Sequence, residues 1–270
     1  MNSLVEFWRS YSLAGPPYIH PEDKAALGQG LQGAYFDGSI DTFDSFVAGS
    51  RFGKFSDNRF FTALVPAPYM GQLDKADIVI LMLNPGFEYV DYFAEYRMPG
   101  IKEMRHKTFR QELDDFKFPF CWLNPEYCWH SGFMYWERKL RKVISEIANR
   151  HYCDRYLDAL EGLSRRLATL QLVPYHSAKF EAGKIIEKLP SVREMKKYAK
   201  DTLEPAARRG EKTLIVMRQR QAWSLNDQKP NIVVYDSNLA LGARLEPTTR
   251  GGEAILNRFD RPQPFESACS

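Results

Sequence analysis

The stretch from Asp77 to Gly86 constrains the fold of this chain more than any other. Ile78, Val79, Ile80, Leu81, Met82 and Leu83 form an unbroken apolar run, the pattern of a central parallel strand buried on both faces. The run stops at Asn84-Pro85-Gly86, where proline fixes φ and glycine permits a tight turn. In open α/β sheets the ligand sits beyond the carboxyl ends of the strands. The turn therefore presents an amide side chain where chemistry is expected. Taken alone, Asn-Pro-Gly is also compatible with an ordinary strand-to-loop turn.

Three further apolar runs end in polar clusters. Leu167 to Val173 leads into Pro174-Tyr175-His176-Ser177. Thr213 to Met217 leads into Arg218-Gln219-Arg220-Gln221-Ala222-Trp223, and Ile232 to Tyr235 into Asp236-Ser237-Asn238. Helical patterns fill the intervals, so the chain alternates strand and helix as an α/β fold with a parallel sheet does. Four strand ends carrying polar and aromatic side chains then converge on one edge.

At 270 residues and 44% hydrophobic, the chain is long enough for a full core. We expect one domain over 1–270, with a packing segment at 1–70 and an aromatic-rich insertion at 87–132. No run approaches the length of a membrane span. The first residues lack a basic segment followed by an apolar one, so a cytoplasmic location is expected. Cys121, Cys128, Cys153 and Cys269 have neither metal-ligand nor disulfide-framework spacing. Free thiols are expected, with no metal and no cofactor. Net charge is only +3, but twelve Lys or Arg face six Asp or Glu between Lys179 and Arg220. Such an excess suits a phosphate backbone and equally suits a solvated helix face.

Phe133, Trp136, Leu140, Val143, Ile144 and Ile147 recur at three- and four-residue spacing, predicting a helix over 131–150 with one apolar stripe. Glu137, Arg138, Lys139, Arg141 and Lys142 fall on its other face. Ser191 and Glu194 predict a capping box after Leu189-Pro190. Gly251 to Phe259 reads as a short last helix.

These motifs, in this order, resemble the uracil-DNA glycosylase superfamily. Leu83-Asn84-Pro85-Gly86 is similar to the water-activating loop of its mismatch-specific and single-strand-selective branches, with Met82 in place of the usual glycine. Tyr135-Trp136-Glu137-Arg138-Lys139-Leu140, Pro174-Tyr175-His176-Ser177 and the Arg218-to-Trp223 string resemble a bacterial branch of the same superfamily. The resemblance covers about 75–260. It implies a three-layer α/β/α sandwich around a central four-stranded parallel sheet, and monofunctional hydrolysis of the N-glycosidic bond of a flipped base.

By the same resemblance Asn84 orients the hydrolytic water, and Gln171, in Gln171-Leu172-Val173-Pro174, reads the base edge. Tyr96 stands twelve residues beyond Asn84, where the family stacks an aromatic on the base; Phe87 and Tyr89 compete for that role. The family's last motif corresponds to Asp236-Ser237-Asn238-Leu239 and lacks its histidine. Asp236 and Asn238 become catalytic candidates there, Ser237 a phosphate contact and Leu239 a wedge. His176 is a candidate base contact, and Arg218 and Arg220 are candidate DNA contacts. The implied partner is DNA carrying a modified base, bound by a monomer. The base is expected to be a bulky modified cytosine of phage DNA, as in antiviral defence, or uracil, as in repair. A nucleic-acid binder without activity, or a small-molecule hydrolase using the same cleft, are the competing readings.

Overall fold

Seven short strands occur among the described residues of this computed structural model, which are 3–38, 42–49, 52, 58–225, 229–235 and 244–261. They are β1 (Phe36–Asp37), β2 (Phe60–Phe61), β3 (Tyr69–Met70), β4 (Ile78–Met82), β5 (Leu167–Gln171), β6 (Thr213–Val216) and β7 (Ile232–Val234). β1 and β2 pair with each other, and the other five form one sheet in the order β3-β5-β4-β6-β7. β4 runs parallel to β6, from Ile78 beside Thr213 to Leu81 beside Val216. β6 runs parallel to β7, from Leu214 beside Ile232 to Val216 beside Val234. Every residue of Ile78–Leu81 and of β6 is buried, as the unbroken apolar runs require.

The sheet is mixed and has five strands, which corrects the four-stranded expectation. The additional strand, β3, has only two residues and follows Pro66-Ala67-Pro68, too short a span to show an alternating pattern. Gln171 N–H donates to the Pro68 carbonyl at 2.9 Å and Ala67 N–H to the Pro174 carbonyl at 2.8 Å. Pairing therefore moves backwards along one segment as it advances along the other. Gly71 ends β3 at φ +82°, and a Cβ there would lie 2.3 Å from the Leu167 carbonyl oxygen. Only glycine fits that approach.

The chain divides into two compact units, each assembled from separated segments. The first comprises Met1–Tyr69, Leu83–Glu112 and Gln171–Tyr198; the second comprises Met70–Met82, Leu113–Leu170 and Ala199–Ser270. The aromatic stretch 87–132 is shared between the two units. Its first part forms helices Tyr89–Arg97 and Pro99–Arg110 of the first unit. Its last part forms short turns at Cys121–Leu123 and Pro125–Tyr127 of the second.

Within the first unit the N-terminal segment packs through its aromatics. Phe61 stacks on Phe87 with centroids 3.9 Å apart, and Phe46 stacks on Tyr92 at 4.3 Å. The helix Pro190–Tyr198 begins two residues earlier than a Ser191 cap would require. The carboxylate of Asp23 takes that role instead, accepting the Ser191 N–H at 2.9 Å while the Tyr175 hydroxyl donates to its other oxygen at 2.6 Å.

Within the second unit the helix Ser131–His151 buries Trp136, Leu140, Val143, Ile144 and Ile147, the stripe expected from the sequence. The last helix, Arg250–Phe259, is capped by Thr249, whose hydroxyl accepts the Gly252 N–H. A buried charge cluster stands at the entrance to β4. Asp77 accepts from Arg166 at 2.6 and 3.1 Å and from Arg258 at 2.9 Å. Each guanidinium also donates to carbonyls, Arg166 to those of Arg258 and Phe259 and Arg258 to that of Gly210, all at 2.7 Å. No described helix is long and apolar enough to cross a membrane.

Candidate functional site

Asn84 follows the apolar run directly and is held by its own turn and by the segment after β5. Val173 N–H donates to the Leu83 carbonyl at 2.8 Å and Ser177 N–H to the Pro85 carbonyl at 3.4 Å, so the two segments run side by side. The Asn84 Nδ2 amide donates to the Pro85 carbonyl at 2.9 Å, to Ser177 Oγ at 2.9 Å and to the Tyr175 carbonyl at 3.3 Å. Two of these partners are carbonyl oxygens that can only accept, which fixes which end of the amide is nitrogen. Oδ1 then points the other way. It has no hydrogen-bond partner among the described residues, and it is not sealed from solvent. An acceptor held at a fixed angle, half-buried, can align a water molecule for attack.

His176 lies beneath the same turn and is buried. Its Nε2 faces the Arg105 guanidinium at 2.7 Å, and its Nδ1 lies 2.9 Å from the Gly86 carbonyl. Arginine is always a donor, so Nε2 accepts and Nδ1–H donates. Both ring nitrogens are thereby committed to positioning the turn. Arg105 also donates to the Val65 carbonyl at 2.7 Å, and its Nε stands 3.7 Å from Glu95, whose other carboxylate oxygen accepts the Val65 N–H at 2.6 Å. Burial pushes the Glu95 carboxyl up to about 7, against the opposing pull of Arg105. Burial likewise raises Asp91 to about 7, although its carboxylate accepts the Glu88 N–H that starts helix Tyr89–Arg97.

Gln171 ends β5 and is half-buried. Its Oε1 is enclosed and has no hydrogen-bond partner among the described residues, although a buried amide oxygen ordinarily finds a donor. A ligand group bearing an N–H would satisfy it. Phe87 is 6% exposed and stacked within the core. Tyr89 and Tyr96 are half-buried, and the Tyr96 hydroxyl donates to the Ala63 carbonyl at 2.8 Å. The expected base-stacking rings thus belong to one aromatic cluster, Phe87 within it and Tyr89 and Tyr96 packed against it.

In the second unit Arg218 is half-buried and Arg220 exposed. Gln219 between them takes a left-handed conformation at φ 57°, and the short helix Arg220–Trp223 follows. Trp223 is buried, and its indole N–H donates to the Met82 carbonyl at 3.2 Å. The loop is thus pinned to the end of β4. Asp236, Ser237, Asn238 and Leu239 lie outside the described residues.

Sequence reading passed over Ser177, Arg105 and Glu95. Ser177 was within reach, because it closes the Pro174-to-Ser177 motif. Arg105 and Glu95 stand in a weakly periodic aromatic stretch with nothing local to mark them. Among the described residues no group of three His, Cys, Asp or Glu side chains is placed to hold a metal ion. Comparison of the chain with family models, with curated proteins and with solved structures finds no match.

Proposed function

We propose that the protein is a monofunctional DNA glycosylase acting on a flipped modified or damaged base. The observation that carries this reading is the Asn84 amide, tethered through its nitrogen by three acceptors with its oxygen left unpaired. In the reaction the C1′–N bond breaks and its electron pair leaves with the base. Water aligned on Asn84 Oδ1 adds its oxygen to C1′, and its proton passes through solvent to the departed base. An amide is a weak base, so positioning and stabilisation of the cationic sugar do most of the work. Gln171 Oε1, enclosed and without a donor, reads an N–H on the base edge.

The same reading includes a three-layer sandwich around the central sheet, and a cytoplasmic monomer that needs no cofactor. The base is a large 5-substituted pyrimidine, such as a bulky modified phage cytosine, in preference to uracil. What supports it is the partly buried tyrosines Tyr89 and Tyr96 at the edge of the aromatic cluster that follows Asn84.

The test is release of free base with an abasic-site product from genomic DNAs of differing modification chemistry and from uracil-containing duplex. Asn84→Ala is expected to abolish release while leaving the melting temperature and DNA affinity near wild type. Wild-type turnover by that variant on a confirmed substrate would sink the assignment of Asn84. DNA binding without product from any substrate would favour the binder without activity.

A further inference from the structure

Tyr175 ties the candidate site to a part of the chain that the Asn84 turn does not itself reach. It is buried, and its hydroxyl donates to Asp23 Oδ2 at 2.6 Å while accepting the His20 N–H at 3.1 Å. Its ring lies edge-on to Phe36 at 5.0 Å and tilted against Phe60 at 5.7 Å. The flanking peptides are fixed as well. The Pro174 carbonyl accepts the Ala67 N–H at 2.8 Å, and the His176 carbonyl accepts the Phe61 N–H at 2.9 Å. All of these partners belong to Met1–Tyr69, the N-terminal segment of the first unit.

The two residues that hold the hydroxyl are themselves held. His20 precedes helix Pro21–Tyr35. Its Nδ1 accepts the Glu22 N–H and its Nε2–H donates to the Phe7 carbonyl, both at 3.3 Å, with the ring stacked on Phe7 at 4.0 Å. Asp23 is buried and gives its other oxygen to the Ser191 N–H at 2.9 Å. A hydroxyl whose proton and lone pair both meet fixed partners has one place to sit.

The backbone of the same residue bears on Asn84. The Tyr175 carbonyl is one of three acceptors around Asn84 Nδ2, at 3.3 Å against 2.9 Å for both the Pro85 carbonyl and Ser177 Oγ. An amide nitrogen carries two protons, so one proton is shared between acceptors. The angle of the amide therefore depends on how the three stand relative to one another. A small displacement of the Tyr175 peptide would alter that division and swing Oδ1.

We propose that Asp23 and Tyr175 are positioning residues for Asn84, so that the N-terminal segment sets the angle of its amide through the Tyr175 peptide. The effect on turnover rests on the glycosylase reading, whereas the mechanical link does not.

The test follows the Asn84 side-chain amide in proton–nitrogen correlation spectra of the full chain, alongside base release. The signal is identified as the side-chain pair that Asn84→Ala removes. Tyr175→Phe keeps the ring and the peptide and removes only the hydroxyl. It should shift the Asn84 pair and speed the exchange of its protons with water. On a confirmed substrate it should lower kcat by roughly tenfold to a hundredfold with KM nearly unchanged. Asp23→Asn keeps one acceptor oxygen and should move the same readouts in the same direction by less. Leu27→Ala, which removes a buried side chain from the same helix, is the control. It should lower the melting temperature while the Asn84 pair and kcat hold. Unmoved Asn84 signals in both folded variants, or a loss of kcat no greater than that of Leu27→Ala, would overturn the proposal. If Tyr175→Phe fails to fold, Asp23→Asn decides on the same terms. Shifted signals in the variants, with no base released by the wild type, would uphold the link and sink the glycosylase reading.

Discussion

Two buried charge networks, one in each unit, solve the same problem differently. Around Asp77 one carboxylate faces two guanidinia at 2.6 to 3.1 Å, and both arginines spend further donors on carbonyls. Around Arg105 one guanidinium approaches Glu95 only to 3.7 Å and directs its short bonds to a carbonyl and an imidazole. The first arrangement is closed and holds two helices to the start of a strand. The second leaves its carboxyl titrating near neutrality and leads, through His176, to the turn that carries Asn84. Tight mutual pairing belongs to architecture, whereas looser pairing sits next to the candidate chemistry.

The largest expected effect is at Asp77. Asp77→Ala leaves two buried guanidinia without their carboxylate, which costs about 3–5 kcal/mol, and chemical denaturation should show most of that loss. A milder effect than that of His176→Ala would break the comparison.

Next comes His176→Ala. It strips the Gly86 carbonyl of its donor and leaves one Arg105 N–H unpaired, a loss of about 1–3 kcal/mol. Stability should fall less than at Asp77, whereas kcat should fall out of proportion with KM nearly unchanged, because the turn rather than binding is loosened. Equal damage to kcat from Asp77→Ala, measured below its melting temperature, would show that proximity to the turn is irrelevant.

The smallest effect is Glu95→Gln, which near pH 7 should change stability by less than about 1 kcal/mol because glutamine can still accept the Val65 N–H. Its signature lies in the pH profile. Burial raises Glu95 from 4.5 to about 7, so between those values the folded chain holds a proton that the unfolded chain has released. Stability from this group is complete below the lower value and is lost as pH rises through the upper one. The wild type should therefore lose melting temperature between pH 5 and 8, and Glu95→Gln should lose less. Asp91, raised by burial in the same direction, maintains a residual slope. Parallel profiles would show that Glu95 stays ionised and that the two networks are alike.

Much of the sheet was legible because β4 to β7 are written as apolar runs, a direct consequence of burial on both faces. The helix Ser131–His151 was legible for the matching reason, one buried stripe over five turns. β3 was not, since two residues carry no period. Nor was the division into two units, because each is stitched from separate segments with no linker composition between them. At the candidate site, Asn84 and Gln171 stood out as polar residues at the ends of strands. The partners of His176 did not, because Arg105 and Gly86 lie 71 and 90 residues away in sequence.

The pairing of Asp77 with Arg258 spans 181 residues, and this sets an order in time. During synthesis Asp77 leaves the ribosome long before its second arginine exists, and Arg166 alone must neutralise it in the interval. The strand that leads to Asn84 therefore cannot lock at its starting end until the last helix has been made and has docked. Completion of the second unit is therefore slow in the way that long-range closure is slow. A nascent chain halted before Arg250 would present β4 with its anchoring charge half-answered, and so is an expected target for chaperones.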